Sequence, residues 1–234
     1  MHASFNRYIT ERSFALTLRY HKKLNPKLWK RSVLDRDVRV RLLRGAVEFA
    51  EYSGVPQDRI HDVVLTGGNC NYNYTKYSDL DVHIVADVSA LNTDELYRKK
   101  VTWSLAHNHT TVAGYPVEFY VEDKAQARAK GQGSYSLMHD RWVSVPVKLD
   151  SVDVLTDPKV LQKVRDNIRF IRRWLLRHGT AEQIQDFKEK MWRGRTAGLQ
   201  DGGEFSVENV VYKDLRNRGL IEALNIRLRE LESR

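Results

Sequence analysis

Apolar side chains recur every three or four residues through Val38, Leu42, Ala46, Phe49 and Ala50, which predicts an amphipathic helix within an N-terminal helical segment reaching about Gly54. Asp37 is the expected cap, and Gly54 with Pro56 the expected stop. From His61 the period changes. The segments 62–66, 80–86 and 117–121 are rich in Val, Ile, Phe and Tyr and read as strands. Between the second and third, Asn92 and Glu95 carry the spacing of a capping box, with Leu96, Trp103 and Leu105 as the apolar contacts of a helix. The polar stretch KAQARAKGQGS at 124–134 reads as a loop or flap, and 141–149 as a strand interrupted or edged by Pro146.

Beyond Asp157 helical spacing returns. Leu161, Val164, Ile168, Ile171 and Leu175 form a core-facing stripe, flanked by Arg165, Arg169, Arg172, Arg173 and Arg177. Such a flank is most often a solvated helix face; a track for phosphates is the alternative. A second helix is expected over 180–192, ending before the glycine-bearing RGRTAGLQDGG, and a final amphipathic segment over 205–231, broken near Gly219. The fold class that follows is α/β (α+β): a small mixed sheet with flanking helices plus a C-terminal helical bundle. The expected division is a helical segment over 1–56, an α/β core over 57–150 and a helical domain over 151–234.

Composition narrows this picture. A chain of 234 residues, 41% hydrophobic, has ample material for a buried core. No apolar run approaches the ~20 residues that span a bilayer, and MHASFNRYITERSF carries charge too early for a secretory signal, so a soluble protein is expected. Cys70 is the only cysteine, which excludes an intrachain disulfide and a cysteine-held zinc, and makes an intracellular setting the easier reading. The net charge of +9 favours an anionic partner such as nucleic acid or nucleotide.

The chemistry concentrates in LTGGNCNYNYTKYSDLDVHI, residues 65–84. On a strand, Asp79, Asp81 and His83 share one face while Leu80, Val82 and Ile84 take the other, so the acids look into water, a cation or a ligand. Two like charges this close repel, and a divalent cation removes the conflict; magnesium accepts a few carboxylates and keeps positions for water and phosphate oxygens. Glu118 offers a third acid if its strand pairs beside that of Asp79, with Glu122 as the rival on the same face. Three acids on neighbouring strands suit two metals about 3.5 to 4 Å apart. Gly67 and Gly68 let the backbone turn tightly and present amide groups to phosphate. Ser78 and Lys76 are further phosphate contacts or plain turn residues, and Tyr72, Tyr74 and Tyr77 stack on a base or pack locally. His83 reads as a cleft-lining or hydrogen-bonded histidine rather than a ligand or base, and Cys70 has no chemical partner in the sequence. Lys188, Arg193 and Arg195 are plausible phosphate or acceptor contacts that the sequence cannot orient.

A hydrophobic strand, a Gly-Gly pair, about ten residues, an Asp-x-Asp strand and a later single acid together resemble the DNA polymerase beta-like nucleotidyltransferase superfamily over residues 58–123. Gly67 and Gly68 match its glycine motif, Asp79 and Asp81 its paired acids and Glu118 its third acid. TKYSDLDVHI, GSYSLMHDRWV and EFSVENVVYKDLR are similar to uncharacterised nucleotidyltransferase-like proteins of bacteriophages. The third acid is glutamate where many members have aspartate, and Gly68 stands where many active members have serine. The resemblance implies transfer of a nucleoside monophosphate from an NTP to an acceptor with release of pyrophosphate. It implies Asp79, Asp81 and Glu118 as ligands of two Mg2+ or Mn2+ ions, and Gly67, Gly68, Asn69 and Ser78 as nucleotide contacts. The acceptor stays open among RNA, protein and small molecules, and the setting is cytoplasmic, a host cytoplasm or virion if phage-encoded. Two non-catalytic readings stand beside it: a silent relative that binds nucleic acid through its basic helices, and a structural component of a larger assembly.

Overall fold

The computed structural model describes residues 14–89, 91–107, 110–123 and 131–233, and the chain divides into two compact units. One is Tyr20–Leu149; the other joins Asp150–Arg234 to the segment before Tyr20.

The first unit opens with irregular chain and a short hairpin, β1 (Trp29–Lys30) and β2 (Val33–Leu34), turned by Arg31 and Ser32 at positive φ. Helix α1 (Arg36–Ser53) follows, so the helical reading of the N-terminal segment holds only from Arg36. Its cap is Asp35 rather than Asp37: the Asp35 carboxylate accepts from the amides of Asp37 and Val38. Gly54, at φ 77°, closes the helix as expected. All five residues of the predicted stripe are buried. At Gly45 the helix comes so near the sheet that a Cβ would stand 2.6 Å from the Phe119 ring, and Phe49 stacks on Phe119 at 5.7 Å.

The sheet strands are β3 (Ile60–Thr66), β4 (Leu80–Ala86), β5 (Thr111–Val112), β6 (Tyr115–Glu122), β7 (Ser134–Ser136) and β8 (Arg141–Ser144), in the order β5-β6-β4-β3-β7-β8. All neighbours are antiparallel except β4 and β6. A parallel pair needs a crossover, and helix α2 (Thr93–Ala106) lies in it. Asn92 caps α2 by accepting from Asp94 and Glu95, but Glu95 does not complete a box; it pairs with Lys99 instead. Leu96 and Trp103 pack on the core as expected, whereas Leu105 is exposed. Most of the expected flap, residues 124–130, lies outside the described residues, and its last residue, Ser134, opens β7. The strand expected over 141–149 ends at Ser144. Leu28, Leu42, Phe49, Leu65, Leu80, Ile84, Tyr135 and Leu137 are fully buried in one cluster. Because α1 and the strands share that cluster, residues 20–56 belong to the same body as the sheet rather than to a segment of their own.

The second unit is helical. Helix α3 (Pro158–Phe170), capped by Asp157, runs on through a π-helical turn, Ile171–Leu175, to His178. Helix α4 (Ala181–Gly202) begins at a Thr180–Gln183 capping box and runs through all of RGRTAGLQDGG but its last glycine, where the glycines predict a loop. Packing explains the difference. A Cβ at Gly198 would stand 2.7 Å from the Ser206 hydroxyl, so glycine here serves close approach, outweighing the ~1 kcal/mol by which it disfavours helix. Helices α5 (Val207–Asn217) and α6 (Leu220–Glu232) meet at Gly219, φ 73°, the expected break. Val164, Ile171, Leu175, Ile184, Val210, Leu215 and Leu224 form the core, and the buried Asp214 accepts from the Thr17 amide and hydroxyl and from Arg218.

Candidate active site

The polar face of β4 and β6 is a ladder. In the parallel register Asp81 stands opposite Glu118, His83 opposite Tyr120 and Val85 opposite Glu122. The adjacency that would bring Glu118 to the aspartates is therefore present. Beneath it, the apolar face of the same strands supplies Leu80, Val82, Ile84 and Phe119 to the core. Period-two alternation thus accounts for acids inside an apolar run.

The two ends of the ladder differ. At the inner end His83 Nδ1 lies 3.0 Å from Glu122 Oε2, with both side chains largely buried. Glu122 is thereby committed to His83, which leaves Glu118 as the acid facing Asp81. His83 also stacks on the Tyr120 ring, with centroids 4.7 Å apart. At the outer end the Tyr120 hydroxyl donates to Glu118 Oε2 at 2.5 Å. Lys100 of α2 reaches the same carboxylate at 3.8 Å and lies 3.9 Å from the Tyr120 ring centroid. Burial first, then the hydrogen bond to Glu118, then the charges of Glu118, Asp81 and Asp79 push the Tyr120 phenol well above its ordinary range. Tyr120 is thus a neutral donor that feels all three carboxylates.

The glycine turn sits against this acidic end. Gly67 has φ 81°, and a Cβ on it would stand 2.1 Å from Asp81 Oδ2, so only glycine fits. Gly68 faces Ser78, whose hydroxyl a Cβ would meet at 3.3 Å. That hydroxyl accepts from the Thr75 amide, closing the turn before the acids. Asn69 does not face outward with them. It is fully buried: its amide nitrogen donates to the Asp79 carbonyl at 2.8 Å, its amide oxygen accepts from Asn25, and its carbonyl accepts from Trp29 Nε1. The Asn69 side chain thus ties the glycine turn to the backbone that carries Asp79. Asn71 adds a second tie, donating to the Gly67 carbonyl and accepting from the Gly133 amide.

Other candidates resolve by their contacts. Tyr74 stacks on His21 at 3.9 Å and Tyr72 packs near Tyr20, so both pack locally; Tyr77 is exposed under Lys76. Cys70 is buried, with its thiol donating to the Leu65 carbonyl. Arg195 donates to the buried Asn209 and lies over Trp192, and Arg193 pairs with Glu189. Lys100 and Tyr120 escaped the sequence reading. Tyr120 had a usable signal in its place two residues after Glu118, but Lys100 depends on where α2 docks.

Asp79, Asp81 and Glu118 offer hard oxygen donors of the kind magnesium and manganese accept. Among the described residues, however, no group of three or more His, Cys, Asp or Glu side chains is gathered closely enough to hold an ion, and Glu118 is engaged by Tyr120 and Lys100. Among the described residues no helix is long and apolar enough to cross a membrane.

No protein-family model matches the chain, and no curated protein matches it. Among solved structures it is similar to the STING-associated CdnE c-di-GMP synthase from Capnocytophaga granulosa, at 14% identity over 86% of this chain and 70% of that one, with a TM-score of 0.20. A likeness that slight leaves the site to be argued from its own side chains.

Proposed function

We propose that the chain is a metal-dependent nucleotidyltransferase that moves a nucleoside monophosphate from an NTP to an acceptor and releases pyrophosphate. The observation that carries this reading is Asp81 facing Glu118 across a parallel strand pair, with Gly67 held in a glycine-only conformation against the Asp81 carboxylate.

Asp79, Asp81 and Glu118 would hold Mg2+ or Mn2+, two ions in the full set, which would neutralise triphosphate charge and polarise the acceptor oxygen. The chain's own part is positional. Gly67 and Gly68 leave room for phosphate oxygens to approach backbone, and Asn69 and Asn71 fix that turn relative to Asp79 and Asp81. Tyr120 and Lys100 hold Glu118 at the edge of the cluster, so completing the ligand set requires Glu118 to exchange that hydrogen bond for the ion. The same hold favours the second reading, a silent relative whose third acid stays locked.

The test is incubation with each α-labelled NTP, Mg2+ or Mn2+, and cell lysate as acceptor source. Label transfer that the Asp79→Ala, Asp81→Ala variant loses supports the enzyme; failure of every NTP to bind with either metal refutes it.

A further inference from the structure

Helix α3 and its π-helical extension present an aromatic surface that the acidic site does not use. Phe170 and Trp174 stack with ring centroids 5.4 Å apart and 11° between planes, yet they remain 44% and 39% exposed. Phe187 of α4 props Phe170 from the side at 5.8 Å. Ile171 and Leu175, four residues apart, are buried on one face, while Arg172, Arg173 and Trp174 between them are exposed.

Charge frames the stack. Arg169, Arg173 and Arg177 are exposed on the same side of the helix as the stack, with Arg172 exposed on the other flank. Arg169 lies 3.5 Å from Asp166, whereas Arg172, Arg173 and Arg177 form no ion pair among the described residues. Arg165, which the sequence placed on the same flank, turns instead to the Phe14 ring. Flat exposed rings alternating with guanidinium groups suit a ligand with stacked planar groups on an anionic backbone. An acidic peptide would satisfy the arginines but leave the ring faces bare, and a duplex hides its base faces. Unpaired bases are what RNA loops and ends supply.

We propose that this face, centred on Phe170 and Trp174, binds single-stranded RNA by base stacking, with Arg173 and Arg177 on the phosphates. The proposal stands whether or not the acidic site transfers nucleotides. The experiment is fluorescence anisotropy of the full chain with a labelled RNA strand of about 12 nucleotides, against the same strand in duplex and against polyglutamate. Micromolar binding of the single strand is expected. The Phe170→Ala, Trp174→Ala variant is expected to weaken it by about tenfold or more, and Trp174→Phe to keep most of it, since a ring persists. Because both rings are exposed, circular dichroism should show the fold intact. The Arg173→Gln, Arg177→Gln variant gives an independent reading: losing two phosphate contacts should flatten the log–log salt dependence by about 1.4. Equal affinity for duplex or polyglutamate, unchanged binding in both variants, or no binding of the strand overturns the proposal.

Discussion

Glu118 and Glu122 sit on one face of one strand, yet they meet opposite fates. Glu122 is buried and bound to His83, while Glu118, four residues earlier, lies at the open end opposite Asp81 and is held by Tyr120 and Lys100. The difference is depth along the ladder. At the inner end a carboxylate must have a partner, because an unpaired buried charge costs several kcal/mol. At the outer end solvent carries part of that cost, so an acid can be kept available for exchange. One face thus divides into a buried, paired end and a more open end, which the proposed function makes the reactive one.

Four variants would break or sharpen this contrast. The largest effect is expected from Asp79→Ala with Asp81→Ala, which should reduce nucleotide transfer by about a thousandfold or more, since the charge-neutralising donors are gone. Its melting temperature should hold, because two mutually repelling acids are removed; a large drop in stability would place these residues at the structural end instead. Next comes Glu122→Ala, which removes the carboxylate bound to the largely buried His83 and should cost about 2–3 kcal/mol in denaturant unfolding. Gly67→Ala follows, at about 1–3 kcal/mol for the strained φ, with transfer lost because the new methyl displaces the Asp81 carboxylate. The smallest is Tyr120→Phe. It keeps the ring on His83 and removes the hydrogen bond to Glu118, costing about 1 kcal/mol. Released from that bond and held by Lys100, Glu118 should bind Mn2+ more readily, whereas weaker Mn2+ binding would make Tyr120 a support of the ligand set rather than a lock on it.

Much of this was legible in the chain, wherever a local period decided it. The alternation through Leu80–Ile84 fixes which face carries the acids, and the helical stripe from Val38 to Ala50 is buried as its spacing requires. What was not legible depends on contacts distant in sequence. That Glu118 faces Asp81 follows from β6 pairing in parallel with β4, a choice no local pattern encodes. The Asn69 side chain is likewise bonded across the chain, to Asn25 and the Asp79 carbonyl, which no local pattern encodes. The glycines of RGRTAGLQDGG signalled a loop by propensity, and tertiary packing of Gly198 on Ser206 and Glu208 reversed it. β7, three residues long, is too short to carry a period at all.

The central claim, that Asp79, Asp81 and Glu118 form one site, is tested most directly by titrating the full chain with Mn2+ and ATP and counting free Mn2+ by electron paramagnetic resonance. The wild-type chain should take up Mn2+ more tightly when ATP is present, the Asp79→Ala, Asp81→Ala variant should lose that uptake, and Glu118→Gln should weaken it while Glu122→Gln leaves it in place. Uptake that survives the double aspartate variant, or that Glu122→Gln abolishes and Glu118→Gln does not, would contradict the assignment.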